Sequence, residues 1–243
     1  VIATSTDTPN TTTSMAVFNT GTGTQLGATV TVPGQGTVVF SGDGTRLLLT
    51  ADQYDPVSAT HTTRVTVRNA VTGAVVGSLV FTGNPYGRDP VFSPDGTRAV
   101  ITTDVYDPAT TLHTSRVTMF DTAIGAQVGT TITFVGSNVA ETMWRPDSAR
   151  ALVTMTPTQY DSVASPMLVA VVDSAGAQVG TTLSLSGMPG YLDRPVWSPD
   201  GTRALITTNE YNQVNGVNVV RATTVNTTTG GQVGTTVSLT SNA

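Results

Sequence analysis

Residues 91–103, Val-Phe-Ser-Pro-Asp-Gly-Thr-Arg-Ala-Val-Ile-Thr-Thr, predict two strands joined by a tight turn. In Ser93-Pro94-Asp95-Gly96, proline presets the backbone angle of the first central position of a type I turn, and aspartate suits the second. Glycine takes the left-handed residue of a three-residue hairpin. The apolar, β-branched run that follows is typical of a strand covered on both sides.

The same stretch recurs along the chain. Residues 40–49 and 197–206 repeat it closely, and residues 144–153 repeat it with Asp147-Ser148 in place of Asp-Gly. The arginines that end the four turns are 52, 52 and 53 residues apart; they are Arg46, Arg98, Arg150 and Arg203. The chain is therefore built from units of about fifty residues.

Each unit contains four strand-like runs, which in the second full unit are 90–93, 98–103, 116–120 and 127–134. No segment shows a helical apolar period free of Gly and Pro, so we predict an all-β chain. Four strands per unit of this length is the signature of a β-propeller blade. A β-solenoid also repeats, but its coils are shorter and carry fewer hairpins.

We expect one domain over residues 1–243, with full blades at 37–88, 89–140, 141–192 and 193–243. Residues 1–36 form a partial blade that contains the second, third and fourth runs and lacks the innermost one. That strand has three possible sources: chain before residue 1, chain after residue 243, or further blades of a larger ring. Five blades are visible, and a larger ring is the close alternative.

Composition excludes several classes of function. All eleven basic residues are Arg and the net charge is −5, so a basic surface for nucleic acid or an anionic membrane is not expected. No apolar run approaches the roughly 18 residues of a membrane span. Without cysteine there is no thiol chemistry. No activated nucleophile or phosphate loop appears, so we predict no cofactor and no catalytic residue.

Alternating strand direction sorts the connections onto two ends of the propeller. The short-turn face carries the turns after first and third strands, such as 94–96. The long-loop face carries the connections after second and fourth strands. We expect long loops there at 52–63, 104–115, 159–166 and 209–218, and loops between blades at 84–89, 137–141 and 191–194. Binding residues concentrate on such loops. Candidate ligand contacts are the repeated tyrosines Tyr54, Tyr106, Tyr160 and Tyr211; the alternative is that each packs over its own loop.

Charged residues before the innermost strands are a second candidate set. We place Arg88, Asp89, Glu141, Asp193 and Arg194 near the mouth of the central channel, with ion pairing between blades as the alternative. The histidines His61 and His113 recur at matching positions, and we interpret them as solvated loop residues because zinc needs more ligands. Asp52 and Asp55 supply too few oxygens for calcium, so no metal site is predicted.

The units resemble the bacterial propeller repeats of the TolB-like and YVTN families. Those families share a strand, Ser-Pro-Asp-Gly and an apolar strand, seen at 92–101 and 197–206, and a later Asp-Thr-Ala-Thr-Gly hairpin before a Val-rich strand, seen at 121–128. The resemblance implies a propeller fold. Propellers of these families serve as binding platforms, periplasmic partners and occasional enzymes, so the resemblance implies no single activity.

The sequence favours a non-catalytic binding or scaffold module located outside the cytoplasm, secreted or on the cell surface. Low charge, a Thr-, Ser- and Asn-rich surface, and the concentration of Tyr, Asp and Arg on one face favour a protein or glycan partner. The alternative is a hydrolase or lactonase-like enzyme that uses Asp89, Glu141 and Asp193 at the channel mouth.

Overall fold

The described part of the chain forms five antiparallel β-sheets and no helix. It comprises residues 2–6, 11–85, 89–157, 166–189, 194–212 and 216–242 of a computed structural model. None of these residues belongs to a helix long and apolar enough to cross a membrane. The all-β prediction is therefore confirmed.

Consecutive strands pair with one another, and each sheet is one blade. The first blade has three strands, β1 (Ile2–Thr6), β2 (Thr12–Phe18) and β3 (Gln25–Pro33). The second has β4 (Gln35–Phe40), β5 (Arg46–Asp55), β6 (Thr60–Asn69) and β7 (Val75–Thr82). The third has β8 (Val91–Phe92), β9 (Arg98–Asp107), β10 (Leu112–Asp121) and β11 (Ala126–Val135).

The remaining blades follow the same order. The fourth has β12 (Ser137–Trp144), β13 (Arg150–Pro157), β14 (Met167–Asp173) and β15 (Gln178–Leu185). In the fifth, two short pieces, β16 (Met188–Pro189) and β17 (Val196–Trp197), share the innermost place beside β18 (Arg203–Asn212), and β19 (Val217–Asn226) and β20 (Gln232–Asn242) follow. Among the described residues the first blade has three strands and no innermost strand, as the sequence predicts.

The Ser-x-Asp-Gly turns are closed by side chains as well as by the backbone. The Ser41 hydroxyl donates to Asp43 Oδ1 at 2.6 Å and accepts the Arg46 N–H at 2.9 Å. Gly44 takes the predicted left-handed angle, with φ 69°. In the altered turn of the fourth blade Ser148 adopts the same region, with φ 63°, so this turn is kept without glycine.

The blades stack face to face, and we call each contact between consecutive blades a seam. Alternation along β5 sends Leu47 and Leu49 into the seam with the first blade and Leu48 into the seam with the third. Burying each such leucine contributes about 1.5–3 kcal/mol. The described residues form four hydrophobic clusters, one for each seam between successive blades. The chain is a β-propeller that begins with a three-stranded blade.

Two sequence predictions about connections are wrong. Residues 52–63, 104–115 and 209–218 are not long loops, because β5, β9 and β18 continue to Asp55, Asp107 and Asn212. Each of these three residues pairs directly with the first residue of the next strand. Residues 137–141, predicted as a loop between blades, belong to β12 and pair with β13. In the hairpins, cross-strand hydrogen bonding extends over segments rich in Asp, Thr and Ser, whose polar composition resembles that of a loop.

Candidate functional site

Three side chains cluster at the long-loop end of the second blade. Asp52 and Tyr54 are two residues apart on β5 and therefore share one side of the sheet, and Tyr54 lies opposite His61 of β6. His61 Nδ1 is 2.9 Å from Asp52 Oδ2. The rings of Tyr54 and His61 pack with centroids 4.7 Å apart and planes tilted by 40°. The carboxylate orients the imidazole, and the imidazole supports the phenol.

The same arrangement recurs in the third blade. His113 Nδ1 lies 2.5 Å from Asp104 Oδ2, and the His113 ring packs 4.9 Å from Tyr106 at a tilt of 46°. Tyr54 and Tyr106 are each 52% exposed. We call these two groups the Tyr-His-Asp clusters. In each cluster the tyrosine is about half-exposed, and the histidine packed against it fixes the position of its ring.

The two clusters differ in how their carboxylates are satisfied. Asn84, at the entry to the third blade, donates from Nδ2 to Asp52 Oδ2 at 3.3 Å. Ser137 takes the equivalent place at the entry to the fourth blade, because it follows Gly136 as Asn84 follows Gly83. Within the part of the chain that the structure describes, Asp104 Oδ1 and Ser137 Oγ are buried without a hydrogen-bond partner.

Burial governs the protonation of both aspartates. It raises the pKa of Asp52 and of Asp104, and the hydrogen bond with the neighbouring histidine acts in the opposite direction. Because His61 and His113 lie on strands and contact carboxylates, our interpretation of them as solvated loop residues is wrong. The identical nine-residue spacing from Asp to His in two blades is the sequence signal that would have indicated the pairing.

The fifth blade keeps the tyrosine and changes its neighbours. Tyr211 is 51% exposed on β18 and lies opposite Asn218 in the register. Asn209 takes the aspartate position, two residues before the tyrosine. Tyr160 of the fourth blade lies outside the described residues. The structure therefore places three of the four predicted tyrosines, and the histidine support is confined to two of those.

The predicted channel-mouth residues include one ion pair. Arg194 Nε is 3.0 Å from Glu141 Oε1, which joins the entry of the fifth blade to the innermost strand of the fourth. Asp89 is exposed. Arg88 and Asp193 lie outside the described residues. The channel-mouth candidates that the structure describes therefore include one ion pair between blades, formed by Glu141 and Arg194.

A cleft of about 410 Å³ runs along the innermost strands of the second, third and fourth blades. Its walls are mainly apolar, and Glu141 and Arg194 add charge to one side. The lining includes Val39, Phe40, Val91, Phe92, Met143 and Trp144. The Trp144 indole donates to the Val91 carbonyl at 2.9 Å and so fixes one wall. Because the lining reaches Gly42 and Pro94, the cleft extends towards the short-turn face.

Across the residues that the structure describes, no three His, Asp or Glu side chains gather in a way that would hold a metal ion. The Asp–His pairs of the two Tyr-His-Asp clusters are orienting contacts within one blade. Their chemistry is that of hydrogen bonding and aromatic packing.

Comparison with known proteins supports the fold. No protein-family model and no curated protein matches the chain. The β-propeller domain of the Trilobed protease from Pyrococcus furiosus is similar, with a TM-score of 0.50 and 9% identity over 86% of this chain and 58% of that one. This chain thus spans a little over half of that domain's length. At this identity the likeness shows the propeller fold alone.

Two peptidase structures are also similar. The acylaminoacyl peptidase of Pyrococcus horikoshii has a TM-score of 0.44 and 11% identity, over 73% of this chain and 29% of that one. An acylaminoacyl peptidase in complex with Z-Gly-Gly-Phe-chloromethyl ketone has a TM-score of 0.49 and 11% identity, over 84% of this chain and 32% of that one. In both, the chain spans about a third of the longer protein.

Proposed function

We propose that the chain is a non-catalytic binding module and that its long-loop face binds a protein or glycan partner. The observation that carries the proposal is the repetition of the Tyr-His-Asp cluster in adjacent blades with the tyrosine half-exposed. The proposal also includes the finer assignment to the TolB-like and YVTN repeats and a location outside the cytoplasm, both supported by sequence resemblance and composition.

The clusters suit binding because they reduce the conformational entropy that the tyrosine side chains lose when a partner binds. A free tyrosine side chain loses rotamer freedom when it is immobilised in an interface, at about 0.5–1.5 kcal/mol. Tyr54 and Tyr106 already lie against His61 and His113, whose rings are held by carboxylates. Such prepositioned tyrosines offer a large, rigid contact area with one polar end. They fit either a sugar ring or a protein surface.

The hydrolase alternative gains no support from the geometry. It requires carboxylates that act together on one substrate. Glu141 is committed to Arg194 at 3.0 Å, and Asp89 is exposed.

The test uses two sets of probes, a glycan array and a library of displayed peptides. We expect the wild-type chain to bind members of at least one set, and Tyr54→Ala/Tyr106→Ala to weaken that binding at least about tenfold, or about 1.4 kcal/mol. The matched control is Val71→Ala/Ile124→Ala, which removes exposed apolar side chains from the short turns.

Both variants should keep the wild-type circular dichroism spectrum and unfolding midpoint, because all four side chains are at least half-exposed. Binding that survives loss of both tyrosines, or that falls equally in the control, would contradict the proposal. Hydrolysis of an ester or lactone substrate that disappears in Asp89→Asn would favour the enzyme instead.

A further inference from the structure

Arg116 is a half-buried arginine whose charge is not balanced by any described carboxylate. It lies on β10, and its Nη1 donates to the Thr82 carbonyl of the second blade at 3.3 Å. Arg116 faces the seam between the second and third blades, because Phe120 on the same side of β10 packs in that seam. No ion pair among the described residues includes Arg116. One carbonyl therefore satisfies one of its five N–H donors and leaves its charge uncompensated.

The fifth blade has the same arginine with its charge balanced. Arg221 and Arg116 each lie five residues before the last residue of their strand. Arg221 Nη1 is 2.6 Å from Glu210 Oε2. The place of Glu210, seven residues after the turn arginine, is taken in the third blade by Val105. The third blade therefore keeps the arginine and lacks the glutamate that would pair with it.

Arg116 lies beside the Tyr-His-Asp cluster of the second blade. The N–H that follows Thr82 in the chain donates to the His61 carbonyl at 2.8 Å, so Arg116 is bound next to the histidine strand. Tyr54 lies opposite His61 and faces the same seam, because it shares its side of β5 with Leu48. Two strand spacings, roughly 10 Å, separate the phenol from the guanidinium.

The other described seams do not combine these two features. In the fourth blade Leu168 takes the place of Arg116, and it packs against the hydrophobic cluster of the seam that contains Tyr106. In the second blade the equivalent residue is the exposed Arg64, which faces the first blade. The described part of the first blade contains no Tyr-His-Asp cluster. Within the described residues, the aromatic cluster and the unbalanced arginine therefore meet in one seam.

An unbalanced guanidinium beside a prepositioned phenol suits a ligand that has both a carboxylate and a flat polar ring. Arginine binds a carboxylate through two parallel N–H bonds. Tyr54 offers a flat face with one polar end, and His61 Nε2 makes no hydrogen bond among the described residues. A ring that carries hydroxyl groups gives these polar atoms partners, whereas an apolar peptide side chain would cover them without any. Uronic acids have both features.

We infer that the seam between the second and third blades binds an acidic glycan, with a uronate carboxylate on Arg116 and a sugar ring against Tyr54. The ligand carboxylate stands to Arg116 as Glu210 stands to Arg221 in the fifth blade. This assignment rests on the proposed binding function and narrows it to one class of partner. Its contacts lie in the second and third blades, each of which has a neighbouring blade on both sides.

Calorimetric titration with paired oligosaccharides tests the inference. The probes are tetrasaccharides of hyaluronan, polygalacturonate and alginate, each compared with its carboxyl-reduced form, in which every uronate is a neutral hexose. We expect the wild-type chain to bind at least one uronate tetrasaccharide, and to bind it at least about tenfold more tightly than the reduced form. Added salt should weaken binding of the uronate form more than binding of the reduced form, because it screens the charge of Arg116.

Two variants remove the available charge in different ways. Arg116→Gln removes the guanidinium, whereas Val105→Glu keeps it and supplies the acidic partner that the fifth blade has. Each should abolish the preference for the uronate form. Arg64→Gln, which alters the equivalent exposed arginine of the second blade, is the matched control and should keep the preference. Circular dichroism and the unfolding midpoint identify the variants that are folded, and either of the two charge variants is sufficient for the test.

Three results would overturn the inference. The first is that no uronate tetrasaccharide binds more tightly than its reduced form, or that the preference survives in the folded charge variants. The second is tighter binding of the acidic peptide Glu-Gly-Glu-Gly than of any uronate tetrasaccharide, which would assign the seam to acidic peptides. The third is binding of neutral glycans that requires Tyr54 and is unchanged in Arg116→Gln, which would leave the proposed binding function standing.

Discussion

His113 Nδ1 lies 2.5 Å from Asp104 Oδ2 in the seam between the third and fourth blades. The carboxylate is buried, at 7% exposure, and its Oδ1 has no hydrogen-bond partner in the described part of the chain. A buried carboxylate that is only partly satisfied favours its neutral form. The cluster that positions Tyr106 therefore also makes stability depend on pH.

Asp104→Asn is expected to change that dependence. Burial raises the pKa of Asp104 above 3.8 in the folded chain, so the folded state holds the proton more tightly than the unfolded state. The resulting stabilisation is complete below pH 3.8 and is lost as the pH rises through the folded pKa. Urea unfolding should show the variant gaining stability relative to wild type over that rise. The exposed Asp89→Asn is the control, and a constant difference would contradict the expectation.

Asp200→Asn should show the opposite trend. The hydroxyl of Ser198 and then the groups of Thr202 donate to this carboxylate and lower its pKa from 3.8 to about 2. Its contribution is therefore present above pH 3.8 and is lost as the pH falls towards 2. Thermal unfolding should show the variant least stable relative to wild type at pH 5 and nearly equal to it at the acid end. A deficit that grows on acidification would refute this.

Gly125→Ala tests the close approach of backbones at a seam. An added Cβ at Gly125 would overlap the Cα of Gly77 in the second blade, whereas one at Gly44 meets no atom within 4 Å. Both glycines have φ 69°, so both substitutions cost about 1–2 kcal/mol of backbone strain. Gly125→Ala should lose a further 1–3 kcal/mol or so from overpacking. Equal losses of unfolding free energy in the two variants, measured by urea unfolding, would contradict this prediction. They would mean that the two blades move apart enough to accommodate the added methyl group.

Arg194→Ala tests whether Arg194 contributes to partner binding, because the substitution should have little effect on stability. Its ion pair with Glu141 joins two blades, but Arg194 is 81% exposed, and exposed pairs contribute about 0.2–1 kcal/mol. The unfolding free energy should change by no more than about 1 kcal/mol. If the channel mouth contributes to the proposed partner site, affinity for the probe that wild type selects should fall. Unchanged affinity would remove Arg194 from the site.

The repeat made the architecture predictable from sequence. The Asp-Gly-Thr-Arg turn fixes the start of each second strand, and counting from it locates Leu48, Val100 and Leu152 in their seams. The three-stranded first blade also follows, because no first run precedes its second. These features depend on local turn chemistry and period-two alternation, which a single sequence contains.

The candidate site was less predictable, because it depends on pairing across strands. Asp52, Tyr54 and His61 look like loop residues until β5 and β6 are known to continue past them. The composition of this segment, rich in Asp, Pro, Thr and Ser, is that of a loop. Whether strands extend through such a segment is decided by hydrogen bonding to the neighbouring strand, which no local pattern reports.

The central structural claim is that seams between successive blades hold the fold, whereas the side of the fifth blade that carries Leu205 has no seam among the described residues. Leu152→Ala and Leu205→Ala alter equivalent residues on a covered and an uncovered side. In urea unfolding of dilute, monomeric protein, Leu152→Ala should cost about 2–5 kcal/mol and Leu205→Ala no more than about 0.5 kcal/mol. Equal costs for the two substitutions would contradict the account.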